Sequence, residues 1–253
     1  MAIKLSVSGC CGRMGTRIAS LSLSDGMFAL AGVLESSGHQ MVGRPFGSWV
    51  GRPDIALKVS DDAKTIFSLG DVVIEFTTPE ATIAHVQVAQ ELGKPMVIGT
   101  TGLSPAQQDG LRTASRKIPI VWSPNMSVGV NVLFELAQLA AQRLGPSYDV
   151  EVVEAHHRQK RDAPSGTAKR LAELLAAVRR QSAESLPVHA VRAGDIVGDH
   201  TVIFAGPSER LELTHRAQDR DVFAQGALNA ARFIVTQRPG LYDMPDVLKG
   251  RTW

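Results

Sequence analysis

Short apolar runs alternate with segments of helical spacing through the first half of the chain. Ile3 to Ser8, Phe28 to Leu34, Val72 to Phe76, Pro95 to Gly99 and Ile118 to Trp122 have the length and content of strands. Between them, Met14, Ile18 and Leu21 recur at helical spacing, as do Ile83, Val86 and Ala89. This alternation predicts βαβ units and a doubly wound parallel sheet.

From Val128 the pattern changes. Gly129 to Leu144 predicts one long helix with an apolar face, and Asp149 to Glu154 a strand. Strand-like runs follow at Pro187 to Arg192, Thr201 to Ala205 and Arg210 to His215, with helices over Thr167 to Arg179 and Val222 to Gln237. This half predicts a second, α+β domain on an open mixed sheet. No internal repeat or low-complexity segment interrupts either half.

Composition narrows the classes of function. With 44% hydrophobic and 21% charged residues, the 253-residue chain is globular, not disordered. A net charge of +2 with scattered basic residues argues against a nucleic-acid or polybasic membrane surface, so any bound anion is expected to be small. No apolar run reaches the roughly 18 residues of a membrane span, and Met1 to Ser8 reads as a strand rather than a signal peptide. The expected compartment is the cytoplasm. The two cysteines, Cys10 and Cys11, are adjacent, which suits neither a disulfide framework nor a spaced zinc site, and no metal is expected.

Gly9, Gly12 and Gly15 stand between the first strand and the first helix. Glycines there permit a tight turn and close approach of a pyrophosphate, while the helix N-terminus offers free N–H groups. Cys11 occupies the place of the second glycine in the common G-x-G-x-x-G pattern. Glu35 closes the second strand 20 residues after Gly15, where a carboxylate can accept from an adenosine ribose. Together these features predict a Rossmann-like dinucleotide site. Gly99-Thr100-Thr101-Gly102 and Ser123-Pro124-Asn125-Met126 each follow a strand and would line the same crevice, although both also suit ordinary strand-to-helix loops. Cys10 and Cys11 sit near a helix N-terminus, a setting that favours thiolate, or they are simply small residues in a turn.

The segment from Glu154 to Thr167, EAHHRQKRDAPSGT, sets two imidazoles and three permanent cations between a strand and a helix. His156 can transfer protons near neutral pH, and Lys160 can pair with a carboxylate or donate a proton. Ser165, Gly166 and Thr167 open a helix that could hold a carboxylate, or Ser165 and Thr167 only cap it. The segment suits a small dianion, or is a solvated cationic face. Nothing resembling a G-x-S-x-G nucleophile elbow is present.

These motifs resemble the dihydrodipicolinate (4-hydroxy-tetrahydrodipicolinate) reductase family of bacterial lysine biosynthesis. The likeness rests on Gly9 to Gly15 with Arg13 and Met14, EFTTPEAT from Glu75, GTTG from Gly99, SPNMSVGVN from Ser123 and EAHHRQKRDAPSGTA from Glu154. RAGDIVG from Arg192, LTHRAQDRDVFAQGA from Leu213 and GLYDMPDVL from Gly240 carry it to the C-terminus. The resemblance implies an NAD(P)H-dependent reductase in which His156 is the acid/base, Lys160 a proton donor, and His157, Ser165, Gly166 and Thr167 substrate ligands. Gly9, Cys10, Cys11, Gly12, Arg13, Met14, Glu35, Gly99, Thr100, Thr101, Ser123, Pro124, Asn125 and Met126 would line the cofactor.

The same resemblance implies that residues 237–253 return to the nucleotide domain of residues 1–127, and that residues 128–236 bind substrate and join four subunits. Two departures bear on the cofactor: Ser36 stands where family members often have arginine, and Thr78 where a basic residue is common. NADH is therefore expected to be preferred to NADPH. Another amino- or imino-acid dehydrogenase, or a non-catalytic dinucleotide sensor, would share the glycine loop but would not need the segment from Glu154.

Overall fold

The computed structural model describes residues 1–250 and divides into two compact units, residues 1–126 with the C-terminal segment from Asp221, and residues 127–220. In the first unit the chain runs through β1 (Ile3–Ser8), α1 (Arg13–Ser24), β2 (Phe28–Leu34), α2 (Gly47–Val50), β3 (Val59–Ser60) and α3 (Ala63–Leu69). It continues with β4 (Val72–Glu75), α4 (Pro79–Leu92), β5 (Met96–Ile98), α5 (Pro105–Ala114) and β6 (Pro119–Trp122). The second unit consists of α6 (Val128–Leu144), β7 (Asp149–His156), α7 (Gly166–Arg179), β8 (Val188–Arg192), β9 (Gly198–Ala205) and β10 (Arg210–Ala217). The chain then re-enters the first unit as α8 (Asp221–Ile234), β11 (Gly240–Tyr242) and α9 (Met244–Lys249).

The first sheet has the order β11-β6-β5-β4-β1-β2-β3, and all its pairs are parallel. Its central strands are buried throughout, as a sheet covered on both faces requires. Val73, Ile98 and Ile120 pack with Phe67, Val86 and Leu111 of α3, α4 and α5. On the other side α8 meets α1 and β4 to β6. Strand order reverses between β1 and β4, and in a doubly wound sheet the ligand crevice opens at the carboxyl ends of such a pair.

The return to the first unit comes at Asp221, earlier than the expected residue 237. Periodicity does identify α8 as a helix, but its buried Ala224, Ala227, Ala230 and Ala231 do not say which sheet it covers. Such small side chains allow close packing on α1, and Arg17 donates to Asp221 at 2.5 Å.

The second unit has a four-stranded mixed sheet, β10-β9-β7-β8, antiparallel except for β7 with β8. Helices α6 and α7 cover one face, where Leu133 and Ala137 meet Leu171, Val152, Val202 and Phe204. Along β7 every second residue is buried: Val150, Val152, Glu154 and His156. The strand reaches two residues beyond its expected end, so the core-facing register runs from apolar residues straight into a carboxylate and an imidazole.

Candidate active site

Gly9 holds a left-handed conformation (φ 72°), and a Cβ there would stand 2.5 Å from the Phe76 carbonyl oxygen just beyond β4. A Cβ at Gly15 would collide with the Gly9 carbonyl, so helix α1 seats directly on the loop. Exposed Gly12 is the N-cap of α1 and supplies no capping side chain, and the first turn holds no acidic residue. The first-turn N–H groups next to exposed Arg13 and half-buried Met14 are therefore left for an anion.

A cavity of about 490 Å³ in this unit is lined by Gly9, Gly12, Glu35, Ser36, Thr77 and His85, among others. Glu35 folds back over the loop: Oε2 accepts the Cys11 N–H at 3.0 Å, and Oε1 accepts from the Ser36 N–H and hydroxyl at 2.9 and 3.2 Å. Asp61 also lines the cavity, and among the described residues no lysine or arginine does.

Of the two readings of the cysteine pair, burial favours small residues held in the turn over thiolates. Cys10 is fully buried, and its thiol pKa is pushed well up by burial, with Cys11 and Glu35 adding to the effect. Cys11 is raised chiefly by burial as well.

The two further loops use their side chains mainly for themselves. Thr100 is buried; its hydroxyl accepts from Thr82 Oγ1 at 2.8 Å and from the Thr77 N–H at 3.2 Å, leaving Gly99 half-buried and Thr101 exposed on either side. Ser123 is also buried, and its hydroxyl donates to the Asn125 carbonyl at 2.8 Å; Pro124 is exposed and Met126 buried.

Beneath these loops lies a network that sequence reasoning missed. Glu75, fully buried, accepts from the Thr77 hydroxyl and from Thr82 Oγ1 at 3.3 Å, and lies 2.9 Å from His85 Nδ1. The signal was available, because a glutamate ending an otherwise apolar central strand has to find partners.

In the second unit, Glu154 is also fully buried. Its Oε2 lies 2.5 Å from His156 Nδ1, Arg192 donates to both carboxylate oxygens at 2.8 Å, and the Ser165 N–H donates to Oε1 at 3.0 Å. Register places Arg192 on β8 directly beside His156. The fork of Arg192 and the N–H of Ser165 hold the Glu154 carboxyl below its ordinary pKa against burial. His156 is lowered from 6.5 chiefly by burial, with Glu154 pulling the other way. With Nδ1 engaged by Glu154, the ring's other nitrogen faces Gly198, where a Cβ would stand 3.0 Å away. Glu154 thus orients the ring through Nδ1 and leaves Nε2 free of it.

The remaining expected residues lie close in the chain around this pair. Lys160 Nζ pairs with Asp162 at 2.9 Å, and half-buried His157 has no partner for its buried Nδ1 among the described residues. Ser165 is 2% exposed and caps α7, accepting from the Ala168 N–H at 3.2 Å, so its hydroxyl serves the helix end. Gly166 is exposed and Thr167 half-buried in the first turn. Sequence reasoning missed His200, whose Nε2 lies 3.3 Å from Ser165 Oγ and whose ring meets His156 edge-on at 5.2 Å. It gave Glu154 and Arg192 no role, although the alternation of β7 puts Glu154 on the core face.

A parallel doubly wound sheet with a glycine loop and a strand-end glutamate, in a chain whose second unit bears a buried histidine paired with a carboxylate, defines a dinucleotide-dependent oxidoreductase. The family models for the N- and C-terminal parts of dihydrodipicolinate reductase match residues 3–126 and 129–248. The chain belongs to the dihydrodipicolinate reductase family. It is 43% identical to the 4-hydroxy-tetrahydrodipicolinate reductase of Syntrophus aciditrophicus, over 99% of this chain and 100% of that protein. It is 44% identical to the enzyme of that name from Anaeromyxobacter dehalogenans, over 97% of each. A dipicolinate-bound dihydrodipicolinate reductase from Paenisporosarcina sp. TG-14 shares the fold with a TM-score of 0.81 at 24% identity, over 96% of this chain and 98% of that one. An amine dehydrogenase from Mycobacterium smegmatis shares it at 0.65 and 14% identity, over 95% and 94%. Among the described residues, no helix is long and apolar enough to cross a membrane.

Proposed function

We propose that this chain reduces 4-hydroxy-tetrahydrodipicolinate with NAD(P)H in lysine and diaminopimelate biosynthesis, with NADH the preferred donor. The observation that carries the reading is the buried Glu154–His156 pair, clamped by Arg192 and followed directly by Lys160 and the α7 N-terminus.

The residues of the first unit fit the cofactor. The uncapped N-terminus of α1 suits a pyrophosphate, and Glu35 suits the two ribose hydroxyls. The cofactor, when bound, supplies the hydride. Cys10, Gly99, Thr100, Thr101, Ser123, Pro124, Asn125 and Met126 shape the loops of this unit and complete the proposed set.

On the substrate side, His156 moves the proton at Nε2, and Glu154 steadies the charge that forms on the ring. Lys160 takes one substrate carboxylate in place of Asp162. That exchange is easy, since the Asp162 side chain is 53% exposed and returns to water. The N–H groups of Gly166 and Thr167 take the other carboxylate, with His157 beside them. Neutralising both carboxylates polarises the conjugated imine and favours hydride attack on the ring.

Four copies in the cytoplasm, joined through the sheet of the second unit, complete the proposal. Supporting the assembly, no helix of this unit covers the sheet face that carries Val153, Val191 and Ile203. The test is whether the purified chain oxidises NADH only when the preceding synthase of the pathway supplies substrate. Oxidation without the synthase, or none with it, overturns the reading.

A further inference from the structure

Cys10, Cys11 and Glu35 bring two sulfurs and a carboxylate to one spot, and no step above uses the sulfurs. The sulfur atoms lie 3.7 Å apart, and one ligand atom from each of the three residues falls within 4.8 Å of the others. Two thiolates at about 2.3 Å from a tetrahedral ion span an edge of about 3.8 Å, so the sulfurs already stand at ligand spacing. Neither cysteine is in a disulfide. The carboxylate is pinned over the loop by the Cys11 N–H, and both Cys11 and Glu35 line the cavity. Cys10 is fully buried beside them, so an ion would enter through the cavity by way of Cys11 and Glu35.

Paired sulfurs select a soft cation, such as Zn²⁺, Cd²⁺ or Cu⁺, over the hard Mg²⁺ or Ca²⁺. We propose that Cys10, Cys11 and Glu35 form a binding site for a thiophilic d¹⁰ cation, and that its occupancy shuts the nucleotide out of the cavity. Binding breaks two S–H bonds and forms two S–metal bonds, and both protons pass to solvent. Because ligation releases two protons, affinity rises with pH. The ion turns two neutral thiols into ligands and draws Glu35 away from a ribose. The exclusion of nucleotide rests on the reading of Glu35 given above, whereas the binding of the ion does not.

The intact chain is titrated with Cd²⁺ alone while the thiolate-to-cadmium charge-transfer absorption is followed in the near ultraviolet. Saturation at one ion per chain is expected, with no competition from excess Mg²⁺. Cys11→Ser and Cys10→Ser each abolish the saturable band, and Glu35→Gln weakens binding by about tenfold or more. Cys11 is only half-buried, so its serine variant decides the matter if Cys10→Ser fails to fold. Absence of the band in the wild-type chain, or an unchanged band in folded Cys11→Ser, overturns the site. NADH is then titrated against bound Cd²⁺: competition supports the exclusion, and simultaneous binding overturns it while leaving the metal site standing.

Discussion

Each unit buries a glutamate against a histidine near the carboxyl end of a strand, but the two pairs are built from different partners. Glu75 at the end of β4 is surrounded by hydroxyls, those of Thr77 and Thr82, with Ser8 Oγ 3.2 Å from the same His85 nitrogen. Glu154 on β7 is gripped by a guanidinium that donates to both its oxygens. The hydroxyl-rich cluster ties together the ends of β1 and β4, the start of α4 and the loop at Thr100, so it is scaffold. The charged cluster concentrates on one imidazole, whose Nε2 faces a glycine, Gly198, and whose ring meets His200 edge-on.

The largest expected effect breaks this comparison at its carboxylates. Glu154→Gln leaves the Arg192 guanidinium, 18% exposed, without its counter-charge, and removing one partner of such a pair costs about 3 to 5 kcal/mol. Glu75→Gln removes an acceptor from neutral donors and costs about 1 to 3 kcal/mol. Urea unfolding of both variants against the wild type measures the two losses, and equal losses would show that the Arg192 fork adds nothing. Glu154→Gln also removes the upward pull on His156, so the pH–rate limb belonging to that ring moves to lower pH.

Turnover gives the next contrast. Alanine at His156 or at Lys160 is expected to lower kcat by about a hundredfold or more with NADH affinity nearly unchanged. His85→Ala, in the scaffold pair, is expected to act through stability rather than through kcat. Steady-state kinetics on the three folded variants decide this; near-normal turnover in both His156→Ala and Lys160→Ala would remove the proposed site.

What could be read from the sequence divides along the same line. Apolar period identified five of the seven strands of the first sheet, all four of the second and a helix over Val222 to Gln237 that the structure places at Asp221–Ile234, because burial repeats every two or every three to four residues whatever the tertiary context; it missed β3 and β11, which are only two and three residues long. It did not assign α8 to the first unit, because an alanine-rich face packs on any sheet. Motif chemistry singled out His156 and Lys160, yet the carboxylate that orients His156 lies two residues upstream and its clamp 38 residues downstream on β8. Only strand pairing brings them together. The sequence left the state of Cys10 and Cys11 open for a related reason: position beside a helix N-terminus is legible in sequence, whereas the degree of burial is not.

His200 makes the second unit sensitive to acid. Burial foremost, and then charge on His156, push its pKa down to about 3. An unfolded chain takes up this proton below about 6.5, while the folded chain stays neutral until about 3. The stability held by a neutral His200 is thus fully present above pH 6.5 and falls as the pH drops toward 3, by at most about 1.4 kcal/mol per pH unit. His200→Gln removes the proton and flattens the slope. Urea midpoints at pH 7, 6 and 5 compare the two proteins, and parallel pH dependences would mean that His200 titrates alike in both states.

The smallest effect concerns the first unit, whose cavity is lined by acids and, among the described residues, by no lysine or arginine, in contrast to the arginine-clamped glutamate of the second unit. Glu35 can accept both ribose hydroxyls of NADH but meets the 2′-phosphate of NADPH with like charge. The Ser36 hydroxyl is turned onto Glu35 at 3.2 Å, Asp61 adds a second acidic side chain, and no lysine or arginine lines the cavity among the described residues. NADH is therefore expected to bind about tenfold more tightly than NADPH, which corresponds to about 1.4 kcal/mol. Ser36→Arg places a guanidinium beside the phosphate and narrows the gap. Dissociation constants for both cofactors at low and high salt provide the check, because a penalty made of charge shrinks as ions screen it. A wild-type preference for NADPH would require a cation such as Arg44 to reach the ribose end of the cavity, and Ser36 would then not set the cofactor preference.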